Sequence, residues 1–124
     1  MTGLTFDTGA LILLERRKQR MKGVLERALA IDQPITVPAD VVGEWWRGRT
    51  RVRDVILDCV DVEPLTLALA KVAGEALASI RGATLVDAVV MASAASRGDI
   101  VYTSDIDDLE LLRPFFPAVR ILRA

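Results

Sequence analysis

Residues 3–15, GLTFDTGALILLE, contain the pattern that decides the fold. The first four form a short apolar run that predicts a β-strand, and the run ends at Asp7. The positions that follow are typical of a helix, which Thr8 can cap. The same order returns at residues 100–112, IVYTSDIDDLELL, where a β-branched run precedes an acid and a short helix. Strands that lead directly into helices predict right-handed βαβ units and a parallel sheet.

The rest of the chain repeats this alternation of short apolar runs and amphipathic stretches. The predicted strands cover residues 3–6, 34–38, 59–63 and 100–103, with a final edge strand at 119–122. The predicted helices cover residues 8–15, 18–30, 39–48, 51–58, 65–80, 85–96 (capped by Thr84) and 105–112. We therefore expect one domain over residues 1–124, a three-layer α/β/α sandwich with a central parallel sheet of four to five strands.

The composition is unusually apolar, with 52% hydrophobic residues and a mean hydropathy of +0.33. No run reaches the roughly 18 to 20 uninterrupted apolar residues that a membrane-spanning helix needs. Asp7 interrupts the first apolar run and the basic residues follow that run, an order that does not fit a secretion signal. We therefore expect a cytoplasmic protein with no membrane partner, whose apolar residues cover both faces of the sheet.

Two absences restrict the chemistry. The chain has no histidine, which excludes Ser–His and Cys–His nucleophilic catalysis and a His-ligated zinc site. Cys59 is the only cysteine, so no internal disulfide can form. The net charge of −1 and a pI near 5.4 exclude a simple nucleic-acid coat protein, although basic residues cluster at 16–22 and 47–53.

Position distinguishes four of the seventeen acidic residues. Asp7 directly follows the first predicted strand, and Asp105 follows the fourth after one intervening residue. In an open parallel sheet, ligands bind beyond the carboxyl ends of the strands, where the strand order reverses. Glu44 and Asp87 instead lie in apolar helical segments, where an unpaired carboxylate is costly.

These four carboxylates, if they converge, need compensation for their charge. Two like charges about 4 Å apart repel by roughly 4 kcal/mol at an effective dielectric constant near 20. Either some of the carboxylates are protonated or divalent cations lie among them. Oxygen ligands without histidine or thiolate favour Mg²⁺ or Mn²⁺, and such a site suits phosphodiester hydrolysis.

Four segments carry a resemblance to a known family: FDTGALI (6–12), VPADVVGEWWR (37–47), ATLVDAVVMASAA (83–95) and VYTSDIDDL (101–109). In this order and at this spacing they resemble the motif blocks of PIN-domain ribonucleases. Among these, the sequence is most similar to the VapC-type toxins of bacterial toxin–antitoxin pairs. The resemblance covers essentially the whole chain.

The resemblance implies a catalytic and metal-binding set of four acids with three supporting residues. The four acids are Asp7 and Asp87, as the principal ligands, with Glu44 and Asp105. The supporting residues are Thr103, Thr8 and Asp108. It further implies a Mg²⁺- or Mn²⁺-dependent endoribonuclease that acts as the toxin of a type II pair and cuts tRNA or ribosomal RNA. Members of the family are usually homodimers silenced by a cognate antitoxin.

Each acid also has a plainer interpretation. Asp7 and Asp105 can be helix N-caps. Asp87, three residues after Thr84, can be an ordinary first-turn acid. Glu44 can pair with Arg47, three residues further along its helix.

The residues beside Glu44 leave similar alternatives open. Arg47 and Arg49 can contact RNA phosphates or belong to a solvated surface. Of Trp45 and Trp46, one is expected at an antitoxin or dimer contact in preference to an RNA base.

Two other function classes compete with a nuclease. A haloacid-dehalogenase-type phosphatase needs a second acid two residues after the first, where this chain has Gly9. A non-catalytic RNA- or protein-binding module would bind RNA without Mg²⁺ and would not depend on the carboxylate of Asp7.

Overall fold

The computed structural model describes residues 1–124. Its five strands are β1 (Leu4–Phe6), β2 (Ile35–Pro38), β3 (Asp61–Glu63), β4 (Ile100–Thr103) and β5 (Arg120–Arg123). Its seven helices are α1 (Thr8–Glu15), α2 (Gln19–Ala30), α3 (Ala39–Trp45), α4 (Arg51–Asp58), α5 (Leu67–Ser79), α6 (Leu85–Arg97) and α7 (Ile106–Glu110).

The strands form one fully parallel sheet in the order β3-β2-β1-β4-β5. Thr5 of β1 lies opposite Thr36 of β2 on one side and opposite Val101 of β4 on the other. The chain runs outward in both directions from β1, so the strand order reverses between β1 and β4. The predicted α/β/α sandwich is confirmed, with five strands and with β5 at an edge.

Helices cover both faces of the sheet. On one side α1 contacts α2, α3 and α4, whereas α6 contacts α5 and α7. Helix α6 is the most deeply embedded, because its residues Ala88–Ala94 are all buried. Strands β1 and β2 are buried along their whole length, as expected for a parallel sheet covered on both faces. None of the seven helices combines the length and the apolar character that crossing a bilayer requires.

Side-chain caps begin five of the seven helices: Asp7 for α1, Thr50 for α4, Thr66 for α5, Thr84 for α6 and Asp105 for α7. The predicted cap at Thr84 is confirmed. The predicted cap at Thr8 is wrong, because the Asp7 carboxylate accepts the Ala10 amide at 2.9 Å and Thr8 is already helical. A carboxylate one residue earlier satisfies the same free amides.

Three predicted boundaries move for local reasons. Helix α3 ends at Trp45 and not near residue 48, since the turn that follows needs Gly48 at a φ of +108°. Strand β3 begins at Asp61 and not at residue 59, since Cys59 still closes α4 in a helical conformation. Helix α7 is shorter than predicted, because its first expected residue, Asp105, is its cap.

A polar network joins the amino end of β4 to the far end of α6. Arg97 donates to Asp99 at 2.9 Å and to Glu63 at 2.6 Å. Its Nη2 also donates to the hydroxyls of Thr5 (3.1 Å) and Ser93 (2.8 Å). Asp99 is 5% exposed and also accepts the Thr5 hydroxyl at 2.9 Å. Asp99 Oδ2 therefore lies beside both a cation and a hydroxyl donor, which offset the burial of the carboxylate.

Candidate active site

Asp7 and Asp105 lie at the carboxyl ends of the two central strands. Asp7 follows β1 directly, and Asp105 follows β4 after Ser104. The turns that carry them pack tightly, because a Cβ atom on Gly9 would lie 1.9 Å from the Ser104 Oγ. Glycine at position 9 therefore allows the start of α1 to approach the turn after β4, which brings the two acids to one edge of the sheet.

Asp7 is buried (8% exposed) and held by several donors. Its Oδ1 accepts the Ala10 amide at 2.9 Å, and Thr103 and the Gly9 amide lie beside its carboxyl. Burial raises the pKa of Asp7 above its ordinary value, these polar neighbours oppose the rise, and the charge of Asp105 adds to it. A fixed, desolvated carboxylate of this kind is a suitable ligand for a cation.

Asp87 lies in the first turn of the helix that crosses beneath this edge. Burial raises the pKa of Asp87 to about 6, a hydrogen bond with Thr84 opposes the rise, and the charges of Asp108, Asp7 and Glu44 add to it. Three carboxylates from three other segments thus act on Asp87 through space. Asp87 is the residue that joins the separate acids into one electrostatic site.

Glu44 and Thr8 form the contact between α3 and α1. The Thr8 hydroxyl donates to Glu44 Oε1 at 2.6 Å, and the Glu44 side chain is otherwise exposed. Because Thr8 follows Asp7 directly in the chain, this hydrogen bond holds the Glu44 side chain at the start of α1. The predicted pairing of Glu44 with Arg47 does not occur, because Arg47 Nη1 donates to the Trp46 carbonyl at 2.8 Å.

Asp105 and Asp108 form a second pair of acids at the same edge. The Asp105 amide donates to the Thr103 hydroxyl at 2.9 Å, which links this turn to the donor that also serves Asp7. A hydrogen bond with Asp105 raises the pKa of Asp108, and the Asp105 charge adds to the effect. Both side chains are exposed.

One acid that sequence reasoning missed is Asp40, one turn before Glu44 in α3. Its Oδ2 is buried without a hydrogen-bond partner. Burial raises the pKa of Asp40, hydrogen bonds to its own amide and that of Val41 oppose the rise, and Glu44 adds to it. The four-residue spacing of the two acids on one helix was the available signal.

No arginine or lysine pairs with the acids of this site. The five ion pairs of the chain involve Arg49, Arg53, Arg97 and Arg113, and their acidic partners are Asp54, Glu15, Glu63, Asp99 and Glu110. Helix N-termini partly compensate the negative charge instead. Asp7, Asp87 and Asp105 lie at or near the N-termini of α1, α6 and α7. The plainer interpretation of these three acids as caps or first-turn residues is therefore also correct.

The chemistry of this donor set suits a hard divalent cation. The side chains offer carboxylate and hydroxyl oxygens, which Mg²⁺ and Mn²⁺ prefer, and the acids lack cationic partners. As placed, no three of the acids are close enough together to hold an ion. Direct coordination by three of them would therefore require side-chain rotation, which the exposed Glu44 and Asp105 are free to undergo.

Of the other side chains predicted to contact a partner, some are already engaged within the protein and some are free. Arg49 is engaged by Asp54 at 2.6 Å, although it is largely exposed. Trp45 is buried in the core, where its Nε1 donates to Glu15 at 2.9 Å, and Trp46 is half-buried. Of the two tryptophans, only Trp46 is left with surface for a partner.

Several solved structures share this architecture. A chain of VapBC2 from Rickettsia felis bound to a promoter DNA fragment matches with a TM-score of 0.76 at 12% identity, covering 98% of each chain. A chain of DNA-bound VapBC from Salmonella typhimurium matches with a TM-score of 0.74 at 15% identity, covering 99% of this chain and 98% of the other. VapC20 of Mycobacterium tuberculosis, a sarcin-ricin loop cleaving toxin, has a TM-score of 0.64 at 24% identity over 86% of this chain and 92% of its own.

These likenesses show the fold: the chain has the architecture of VapC-type PIN domains. No model of a protein family and no curated protein sequence matches it.

Proposed function

We propose that this protein is a Mg²⁺- or Mn²⁺-dependent endoribonuclease of the VapC type that acts as the toxin of a type II toxin–antitoxin pair. One observation carries the proposal: Asp7 and Asp105 follow the two central strands where the strand order reverses, Asp87 and Glu44 lie on helices α6 and α3, and none of the four pairs with a cation. The VapC fold supports it, since one structural relative is described as cleaving the sarcin-ricin loop. The substrate class proposed is structured RNA, such as tRNA or ribosomal RNA.

Each residue of the site has a distinct part in this proposal. Asp7 and Asp87 would hold the cation, with Asp105 and Glu44 completing the set directly or through water. A bound divalent cation neutralises the carboxylates, polarises the scissile phosphate and lowers the pKa of the attacking water. Thr103 accepts the Asp105 amide and lies beside Asp7, so it would keep the two ligands, which follow different strands, oriented.

Glu44 has the geometry for handling the attacking water. Its Oε1 is occupied by the Thr8 hydroxyl, which leaves Oε2 free to accept a hydrogen bond or a proton. In hydrolysis the water oxygen would bond to phosphorus as its proton passes to Glu44, while the bond from phosphorus to the ribose oxygen breaks and that oxygen takes up a proton from solvent water. Asp108 would support Asp105 through their shared hydrogen bond.

The proposed partners follow from the same relatives. Three of the structures that share the fold are VapBC or FitAB assemblies, named for two components and bound to DNA. We therefore include a cognate antitoxin and a homodimer in the proposal. Helix α5 exposes Leu67 (72%) and Val72 (38%), which are apolar side chains available for such contacts.

A non-catalytic binding module on the same scaffold is the second candidate. It is favoured by the finding that no three acids lie close enough together to hold an ion. This candidate predicts RNA binding that is indifferent to Mg²⁺ and to loss of the Asp7 carboxylate.

The deciding experiment uses purified protein freed of any antitoxin and a labelled mixture of tRNA and ribosomal RNA. Cleavage should require Mg²⁺ or Mn²⁺ and should stop with EDTA. Asp7→Asn and Asp87→Asn should abolish cleavage while their circular dichroism stays that of the wild type. Asp32→Asn is the matched control, since it removes one carboxylate charge at an exposed turn before β2 and should leave the rate unchanged. Equal cleavage by all four proteins would refute the proposal.

A further inference from the structure

A cleft runs directly outward from Glu44, between α1 and the segment that joins α3 to α4. Its volume is about 240 Å³, and it is lined by Ile12, Glu15, Arg16, Glu44, Trp45, Arg47 and Arg53. This is enough for a phosphate group and part of its hydration. The cleft and the proposed active site thus share the Glu44 side chain as a common wall.

The arginines of this cleft and its surroundings divide into two classes. Arg53 is paired with Glu15 at 2.8 Å, and Arg49, on the adjoining loop, is paired with Asp54. Arg16 and Arg47 are exposed and have no acidic partner. Because Glu15 and Arg53 cancel, the charges that remain are those of Arg16, Arg47 and the Glu44 carboxylate, which leaves the cleft with a net charge of +1.

The frame around the two free arginines is fixed by hydrogen bonds. Glu15 accepts from Trp45 Nε1 at 2.9 Å and from Arg53 Nη2 at 2.8 Å, which ties α1 to α3 and α4. Arg53 Nη1 donates to the Gly48 carbonyl at 2.9 Å, and this bond anchors the loop that carries Arg47. The Nε of Arg53 is buried without an acceptor, so the cleft wall contains one further donor that is unused in the free protein. These hydrogen bonds fix the backbone that carries Arg16 and Arg47 before a ligand binds, which lowers the entropy cost of binding.

We infer that this cleft binds a backbone phosphate of the RNA next to the bond that is cut, held by Arg16 and Arg47. The inference rests on the proposed nuclease function. Guanidinium groups pair with phosphate oxygens through two parallel hydrogen bonds, and two of them lining one cleft suit a single monoanionic backbone phosphate. The cleft adjoins the acids at Glu44, so a strand whose scissile phosphate lies among the acids can continue into it. The phosphate fixes the strand without reading its sequence.

Binding can be measured separately from cleavage with Asp7→Asn as the parent protein and a fluorescein-labelled single-stranded oligoribonucleotide as the probe. Fluorescence anisotropy at several KCl concentrations gives both the affinity and its salt dependence. For single strands each phosphate contact contributes about 0.7 to the slope of log K against log salt concentration. Adding Arg16→Gln or Arg47→Gln to the parent should weaken binding about 3- to 10-fold. The double substitution should lower the slope by about 0.7 and not by twice that amount, because both side chains hold one phosphate.

Arg49→Gln is the matched control, because it removes the same charge from the same loop but from a side chain already paired with Asp54. It should change the affinity less than 2-fold. Equal effects of Arg49→Gln and Arg47→Gln would mean that the RNA is held by general electrostatic attraction and not by the cleft, and would overturn the inference. Unchanged RNA binding in the Arg16 and Arg47 variants, with loss of binding to a labelled tetraglutamate peptide, would assign the cleft to a protein partner and would also overturn it.

The two proposals fail in different ways. If wild-type protein cuts no RNA but the arginine variants lose RNA affinity as described, the nuclease proposal falls and the phosphate cleft stands. If wild-type protein cuts RNA and the variants bind it as well as their parent does, the cleft inference falls alone.

Discussion

The two ends of α6 hold their acids in opposite electrostatic environments. At the carboxyl end, Arg97 neutralises Asp99 and Glu63 and ties them to two hydroxyls. About ten residues earlier, roughly 15 Å along the axis, Asp87 faces other carboxylates and no cation. The same helix therefore carries an acid network that stabilises the fold at one end and an acid cluster that opposes it at the other.

This difference separates the acid of the Arg97 network from the proposed catalytic acids better than burial does. Asp99 and Asp7 are almost equally buried, at 5% and 8% exposure. One is paired with a guanidinium, whereas hydrogen-bond donors and a helix N-terminus serve the other. Carboxylates with raised pKa values and no cationic partner occur preferentially at functional sites, and this supports the proposed role of the unpaired acids.

The largest expected effect is on catalysis. Asp7→Asn or Asp87→Asn should lower the rate of RNA cleavage in Mg²⁺ by more than about 100-fold, beyond what loss of a residue that only supports a ligand costs. Asp99→Asn tests the comparison from the other side, since that acid lies in the paired network. Any folded fraction of Asp99→Asn should cut RNA at the wild-type rate per folded molecule. Initial rates, corrected for the folded fraction by circular dichroism, are the measurement.

The next effect is on stability at the paired end. Arg97→Met should reduce the free energy of unfolding by about 3 to 5 kcal/mol, because it leaves the carboxylate of Asp99 buried without its cation. Urea unfolding at pH 7 measures it. An equal loss when Arg97→Met is made in an Asp99→Asn background would mean that Arg97 acts by packing alone.

At the amino end of α6, the charge of Asp87 should lower stability, the opposite of the effect of the Arg97 network. The pKa of Asp87 is raised from 3.8 to about 6, so the folded protein retains a proton that the unfolded chain loses between these values. Stability in the absence of divalent cations therefore falls as pH rises from about 4 to 6. The full shift corresponds to about 3 kcal/mol, which partial exposure reduces to about 1 to 1.5 kcal/mol.

Asp87→Asn removes this penalty and should stabilise the cation-free protein at pH 7.5 but not at pH 4. Thermal unfolding in EDTA at both pH values is the measurement. Adding Mn²⁺ should raise the wild-type melting temperature more than that of the variant, because a cation that binds only the folded state stabilises it. An Asp87→Asn protein that melts below the wild type at pH 7.5 would contradict the assigned environment.

The smallest effect belongs to a surface pair outside both regions. Arg49 and Asp54 are 83% and 36% exposed, and Arg49→Gln should change the free energy of unfolding by less than about 1 kcal/mol. The same urea titration measures it. A loss as large as that of Arg97→Met would show that pairing alone, without burial, accounts for the stability at the end of α6.

The sequence was sufficient for the architecture because its signals are local. The β-branched run at residues 100–103 and the Thr84 cap with its apolar stretch specify β4 and the start of α6 without reference to any other element. The shifted boundaries occur where two local signals compete. Asp7 and Thr8 can both cap α1, and the carboxylate takes the position.

The environments of the acids could not be predicted in the same way, since they depend on contacts between distant segments. Nothing near Arg97 in the sequence indicates Glu63 as its partner, and nothing near Glu44 indicates the Thr8 hydroxyl. The arginines of the 47–53 run look alike in sequence, yet Arg49 and Arg53 are paired and Arg47 is free. The metal dependence and the roles of the four acids stay predictions for the cleavage assay to test.

Helix α6 has a consequence for anyone who selects variants of this protein. Loss of the Asp87 charge should raise the melting temperature in the absence of divalent cations, whereas loss of Arg97 should lower it, and both residues lie on one helix. A library screened only for heat resistance or for yield in a host would then accumulate variants without Asp87, which the proposed mechanism predicts to be inactive, and a toxic activity would strengthen the bias. Screens should score folding and turnover together.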